Sequence, residues 1–192
     1  MSKRIAFFSA AAIGALALTA TVVAPVSAQD KMKSEMSGEK TVMVGGAAMF
    51  PSKNIIQNAV NSKDHTTLVA AVKAAGLVGT LEGKGPFTVF APTNGAFGKL
   101  PAGTVDTLVK PENKATLTRI LTYHVVAGKL EASDLTDGKK LKTVQGEELT
   151  VKRSGNTVMI IDAKGDSSTV TIPNVNQSNG VIHVVDTVLM PS

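Results

Sequence analysis

Three histidines, His65, His124 and His183, carry most of the chemistry this chain can offer. His124 falls on one face of a helical stretch in which Leu117, Ile120, Leu121, His124 and Val125 recur at i, i+3, i+4, i+7 and i+8. That spacing predicts burial. A buried imidazole must find hydrogen-bond partners or carry a desolvation cost, so a neutral ring tied to neighbouring backbone is expected ahead of a ligand or a base. His183 sits in the apolar run Val181–Val185 and is expected to be a satisfied core residue as well. Asp186, three residues on, faces the other side of a regular strand, so the two form no local His–Asp pair. His65 lies near a helix start and is expected to be exposed. None of these rings has the i, i+4 spacing of a helical zinc pair, and no carboxylate cluster completes a site, so no metal and no cofactor is expected.

Other candidate motifs are weaker. There is no G-x-S-x-G elbow, so no catalytic residue is expected. Residues 79–85, GTLEGKG, have a superficial likeness to a phosphate loop, but the glycine spacing is wrong and Gly85 stands where Ser or Thr is needed. Asp162 and Asp166 flank Gly165 without the ligand density of a calcium loop, which favours a turn. Met32 and Met36 have no His or Cys beside them to make a soft-metal site. Lys139, Lys140 and Lys142 read as a solvated loop.

Composition narrows the classes further. The 192 residues are 43% hydrophobic and 18% charged, which is globular rather than disordered. The chain has no cysteine, which excludes a disulfide scaffold, thiolate zinc, iron–sulfur sites and a catalytic or lipid-modified cysteine. Aromatics are 4%, with no tryptophan and one tyrosine, and no basic cluster is interleaved with them. Nucleic acid is therefore not an expected partner.

The first segment reads as an export signal. Lys3 and Arg4 precede an apolar run from Ile5 to Val23, and Val26 and Ala28 fit a small-x-small cleavage site, placing the cut between Ala28 and Gln29. The rival reading is an uncleaved anchor, since the run is almost long enough to span a bilayer. Removing 1–28 takes two basic residues and no acidic one, so the charge falls from +5 to +3. Residues 29–49 are expected to be a polar tail and lead-in, and 50–191 a single domain with no internal repeat. After cleavage no membrane-spanning segment is expected.

Periodicity supplies the elements of that domain. Helices are expected over 52–60, from Asp64 to a stop at Gly76, after a Thr93 cap, over 104–108, and from Pro111 to Gly128. A strand is expected over 87–91. Past Gly128 the period becomes two, with strands over 142–144, 148–153, 157–162, 169–172 and 181–189. Ser154-Gly155-Asn156 and Asn179-Gly180 are hairpin signals, the second because both residues tolerate positive φ. The last strand is apolar on both faces and should be central. Helices first and strands second imply an α+β fold with a mainly antiparallel sheet.

Three blocks, in order, resemble the fasciclin (FAS1) domain family. They are Gly85-Pro86-Phe87-Thr88-Val89-Phe90-Ala91-Pro92-Thr93-Asn94, then Leu121-Thr122-Tyr123-His124-Val125-Val126, then Asn179-Gly180-Val181-Ile182-His183-Val184-Val185-Asp186. The family's acidic residue after Pro-Thr is Asn94 here, which alters a helix-start charge. The resemblance implies a β-sandwich-like wedge packed with helices, of the bacterial secreted single-domain type. It makes Thr93, Asn94, His124, Asn179, Gly180, His183 and Asp186 parts of the structural motif, and places Tyr123 and His124 in an adhesion-linked one. The lone Tyr123 is expected to point to the domain edge, where its ring can make a contact.

The expected function is a non-enzymatic exported adhesion or interaction module, periplasmic, secreted or on the cell surface. Its partner would be a cell-surface or matrix protein or a polysaccharide. The alternative is an exported small-ligand or metal carrier using His124, His183 or the methionine tail, which an apolar cavity with convergent polar groups would favour.

Overall fold

The computed structural model describes residues 40–192. The expected signal 1–28, its cleavage point at Ala28 and Gln29, the tail through residue 39 and the methionines Met32 and Met36 lie outside the described residues.

Packing begins before residue 50. Strands β1 (Val42–Val44) and β2 (Ala47–Met49) form a hairpin whose turn, Gly45-Gly46, holds both residues at positive φ. Val44 and Met49 are buried, which brings this segment into the core. Helix α1 (Ile55–Ala59) follows with a capping box: Gln57 N–H donates to the Asn54 side chain at 2.8 Å, and Asn54 N–H donates to the Gln57 side chain at 3.1 Å. A 3-10 turn (Lys63–His65) leads into α2 (Thr66–Ala75). Asp64, expected as its cap, lies inside that turn and makes no cap bond. Gly76 ends α2 in the left-handed region.

Helix α3 (Val78–Glu82) precedes β3 (Phe87–Pro92), and the Thr93 hydroxyl caps α4 (Asn94–Gly98) by accepting from Ala96 N–H at 3.2 Å. Helix α5 (Thr104–Leu108) and a second 3-10 turn (Pro111–Asn113) lead to α6 (Lys114–Tyr123). The helix expected to reach Gly128 therefore stops at Tyr123, with His124 as its C-cap. Val125–Ala127 is β4, paired antiparallel with β3 in the register Phe87↔Ala127, Val89↔Val125. Both periods fit an apolar Val125, and the ladder with β3 decides between them. It gives the β-branched pair Val125-Val126 backbone partners that a frayed last turn lacks.

The strand-rich half comprises β5 (Lys140–Lys142), β6 (Glu148–Ser154), β7 (Thr157–Ile161), β8 (Ser167–Gln177) and β9 (Gly180–Val185). Strand β8 is longer than its expected 169–172 because two register irregularities and Asn174 at φ 57° carry it past Pro173. The turn into β9 is Ser178-Asn179, closed by Gln177↔Gly180, and neither Asn179 nor Gly180 has positive φ. The hairpin is where the dipeptide placed it, but for another reason. A Cβ on Gly180 would collide with the Phe87 carbonyl, so glycine is required by close approach of β3.

The sheet order is β4-β3-β9-β8-β7-β6-β5, antiparallel except for the β3–β9 pair. The fold is thus α+β with a mainly antiparallel sheet. Its edges meet: Val126 bridges Thr143, and Val144 N–H donates to Val125 carbonyl at 2.7 Å. Curling divides the interior into two cores. One, inside the curled sheet, holds Phe90, Tyr123, Leu149, Ile160, Val185 and Leu189. The other, under the helices, holds Val72, Val89, Leu121, Ile182 and Val184. Strand β9 contributes alternate residues to each, which is why it is central and buried throughout.

Candidate functional site

The residues singled out for chemistry are placed mainly inside, as ties between elements. His124, at the end of α6, is 2% exposed. Its Nδ1 lies 2.9 Å from the Ile120 carbonyl and its Nε2 2.9 Å from the Leu189 backbone N–H. A carbonyl only accepts and an N–H only donates, so these partners assign a neutral ring with the proton on Nδ1. Burial lowers its pKa to about 4, against the opposing pull of the Ile120 carbonyl and the Asp162 charge. Tyr123 is fully buried, contrary to the expected place at the domain edge. Its hydroxyl accepts from Ala163 N–H at 2.8 Å and lies 3.4 Å from the Glu148 carbonyl. Position 123 packs with Phe90, Leu149 and Ile160 in the core inside the sheet, while Leu117, Ile120 and Leu121 of the same helix face the other core.

His183 is also fully buried, stacked on Phe90 with ring centroids 5.7 Å apart. Its Nε2 meets the Leu130 carbonyl at 2.8 Å and its Nδ1 accepts from Asn174 N–H at 3.3 Å. Desolvation lowers its pKa. Asp186 lies beyond β9 and has separate partners: Thr169 N–H at 2.8 Å and Lys99 Nζ at 3.4 Å. His65, expected at the surface, is 3% exposed. Its Nδ1 is 2.9 Å from Ser62 Oγ, and Nε2 has no hydrogen-bond partner. Burial lowers its pKa, and the Ala91 carbonyl offsets this in part without completing a hydrogen bond at Nε2.

Asn179 is the busiest tie. Its Oδ1 accepts from Ile55 N–H at 3.1 Å, and its Nδ2 donates to the Leu81 carbonyl at 2.7 Å and the Gly83 carbonyl at 2.9 Å. One amide thus joins α1, α3 and the β8–β9 turn. Asn94 does similar work nearer the surface. Its Oδ1 accepts from Thr67 N–H at 3.0 Å at the start of α2, and its Nδ2 donates to the Lys63 carbonyl at 2.8 Å. A carboxylate could do only the first, so the amide is suited to this exchange. Its effect falls on α2 rather than on its own helix, which spacing did not reveal. Asp162 accepts from Lys164 and Asp166 N–H groups through Oδ1 and from Met190 N–H through Oδ2. That is a turn, tied to the C-terminal segment. Among the described residues no group of three or more His, Cys, Asp or Glu is placed to hold a metal.

Outside the core, the outer face of the sheet gathers several lysines. The registers Lys140↔Thr150, Thr150↔Ile161, Lys152↔Met159 and Met159↔Thr169 place these residues on one side. Leu141, Leu149, Val151, Val158 and Ile160 occupy the other side and are buried. Lys140, Lys142 and Lys152 are exposed around half-buried Thr150, Met159 and Ile161. Glu148 is the one acid among them, 3.4 Å from Lys140. The solvated loop expected for Lys139, Lys140 and Lys142 is, from Lys140 on, strand β5. The alternation of Lys140 and Lys142 about Leu141 was the signal for a strand.

Comparison with known proteins agrees with this architecture. The Fasciclin domain model matches residues 63–191. Protein sll1483 of Synechocystis is 48% identical over 153 residues, covering 80% of this chain and 82% of that protein. Immunogenic protein MPB70 of Mycobacterium bovis is 36% identical over 199 residues, covering 100% of this chain and 98% of that protein. Cell surface glycolipoprotein MPB83 of the same species is 40% identical over 153 residues, covering 77% and 64%. Among solved structures, a FAS1 domain pair from the insect cell adhesion molecule Fasciclin I superposes with a TM-score of 0.65 at 19% identity. That match covers 73% of this chain and 52% of the pair, and it speaks for the fold alone. With the family model matched over most of its length and relatives of 36–48% identity, this chain belongs to the fasciclin domain family.

Proposed function

We propose that this protein is a non-enzymatic, exported interaction module that binds an acidic polysaccharide of a cell surface or matrix. The observation that carries this reading is the outer face of β5–β8, where Lys140, Lys142 and Lys152 surround Thr150, Met159 and Ile161. Lysine heads attract the anionic groups, and the half-buried centre offers apolar area to sugar rings. The charge excess is modest, so it favours encounter more than tight binding, and retention should fall as salt rises. The apolar run after Lys3 and Arg4 supports export, as does a relative that is a cell surface glycolipoprotein. No helix among the described residues is long and apolar enough to cross a membrane. Engagement of both ring nitrogens of His124 and His183 supports a non-catalytic interior. Tyr123 and His124 would then serve adhesion by holding the face's scaffold, since neither side chain reaches the surface.

The test is retention on immobilised polyuronate against neutral dextran. The expected result is selective retention that declines between low and physiological salt and is weakened several-fold by Lys142→Glu or Lys152→Glu. Equal retention on dextran, or indifference to both charge reversals, would overturn the reading. Retention only on a protein fraction of the envelope would replace the polysaccharide by a protein partner.

A further inference from the structure

We propose that the outer face of β5–β8 holds an acidic polysaccharide parallel to its strands and in one sense only. The acidic edge of the polymer lies over the β5–β6 lysines, its ring faces over Met159 and Ile161, and its hydroxyl edge over Ser167 and Thr169. This rests on the polysaccharide reading above and adds to it the direction and sidedness of the bound chain.

The order comes from the registers. Paired residues of neighbouring strands share a side of the sheet, so a line of pairs forms a row across it. One row reads Lys140↔Thr150↔Ile161↔Ser167. The next, two residues along each strand, reads Lys152↔Met159↔Thr169. Both rows run from a cation, through an apolar group, to a hydroxyl. Lys140, Lys152 and Ser167 are exposed, and Thr150, Met159, Ile161 and Thr169 are half-buried. The rows are about 7 Å apart, the rise of two strand residues, and neighbouring strands are about 5 Å apart. Joined along the strands, they make three parallel tracks: lysine on β5 and β6, apolar on β7, hydroxyl on β8.

A chain of acidic sugars has the same cross-section. Its rings are flat and apolar on their faces, and their edges carry carboxylates and hydroxyls. Ammonium groups meet the carboxylates, and Met159 and Ile161 meet ring C–H groups. The Ser167 and Thr169 hydroxyls both donate and accept, which suits sugar hydroxyls of either orientation. Direction follows from charge. A polymer crossing the strands would set one carboxylate on a lysine and carry the next over apolar ground, where it loses hydration. A polymer running along them meets one lysine after another, with Lys142 extending the β5 track.

The pattern is bounded at both ends. At one, Lys142 pairs with Glu148, whose carboxylate lies 3.4 Å from Lys140 Nζ and repels an anion from the centre of the face. At the other, Ser154↔Thr157 supplies hydroxyls alone.

The test moves a charge without changing the total. Lys140→Ser combined with Ser167→Lys keeps composition and net charge but exchanges the two ends of one row, both of them exposed. Its retention on immobilised polyuronate is expected to fall several-fold. Thr169→Val, which removes one hydroxyl at nearly constant shape, is expected to weaken polyuronate retention by about two- to tenfold, one hydrogen bond's worth. The same variant should bind polyglutamate, a polyanion without rings, as the natural protein does. Urea midpoints verify that both variants fold, and if the double variant does not, Thr169→Val decides alone. Natural protein that passes through polyuronate unretained would remove the polysaccharide reading and this one with it. Retention of the natural protein together with undiminished retention of the exchanged variant, or equal losses on both polymers in Thr169→Val, would leave that reading standing and overturn the ordered face.

Discussion

The Nε2 of His124 accepts a hydrogen bond from the backbone N–H of Leu189 across 65 positions of sequence, at 2.9 Å. That bond fastens the last turn of α6 to the segment leaving β9. With Nδ1 on the Ile120 carbonyl, it makes the ring a strut that works only while neutral.

Acid should therefore unfold this protein in a defined window. His124 has a folded pKa of about 4 against an ordinary 6.5, so the unfolded chain binds the proton more readily. No stability is lost above pH 6.5. It falls as pH drops from about 6.5 to about 4 and levels below that, by roughly 3 kcal/mol from this ring. His65 and His183 are displaced in the same direction and steepen the fall. Urea midpoints measured at pH 7.5, 6, 5 and 4 check the slope. A His124 ring that titrates near 6.5 in the folded protein would contradict it.

Asn179→Ala should cost about 3 kcal/mol. It leaves the Ile55 N–H and the Leu81 and Gly83 carbonyls without their amide partner, and each unmet buried group costs on the order of 1 kcal/mol or more. Urea denaturation reads the loss directly, and a change below about 0.5 kcal/mol would show that water replaces the amide.

Two glycine substitutions should act in opposite directions. Gly180→Ala drives a methyl group into the Phe87 carbonyl and must break the β3–β9 register, so the expected outcome is little or no folded protein. Gly79→Ala, inside α3 with open space at the site of the new Cβ, should stabilise by about 0.5–1 kcal/mol. Thermal melts of the pair separate the effect of close approach from that of chain entropy.

Stability and surface binding should separate cleanly between Tyr123→Phe and Lys152→Glu. The first removes a buried hydroxyl that accepts from Ala163 N–H and should lower stability by about 1–2 kcal/mol while leaving polyuronate retention unchanged in the cold. The second changes an exposed head and should do the reverse. Loss of retention in Tyr123→Phe at temperatures where it is fully folded would return that residue to the binding face.

The sequence was most legible where neighbours along the chain decide the structure. The capping hydroxyl of Thr93, the Gly76 stop, the Ser154–Asn156 turn and the passage from helical to alternating period are local events, each settled within a few residues. The two-faced apolarity of Val181–Val185 also announced a central strand, because only burial on both sides makes such a run favourable. Legibility failed where a remote partner chose between local options of similar energy. Val125 fits a helix face as well as a strand until β3 offers it a ladder. His65 looks like a surface residue until the 42–49 hairpin closes over it. Asn94 and Asn179 look like turn residues until their amides reach Lys63, Ile55 and Leu81.

By its order of apolar, turn-forming and capping residues, the chain itself determined that it would be an α+β module with a strand buried on both faces. It also determined that the imidazoles of His124 and His183 would lie among apolar side chains. Tertiary structure alone decided that the sheet curls until β4 meets β5, that every ring but His65 finds two partners, and that three lysines share one outward face. The reason is physical: periodicity reports which side of an element avoids water, whereas hydrogen-bond partners and shared surfaces belong to pairs of elements that only folding brings together.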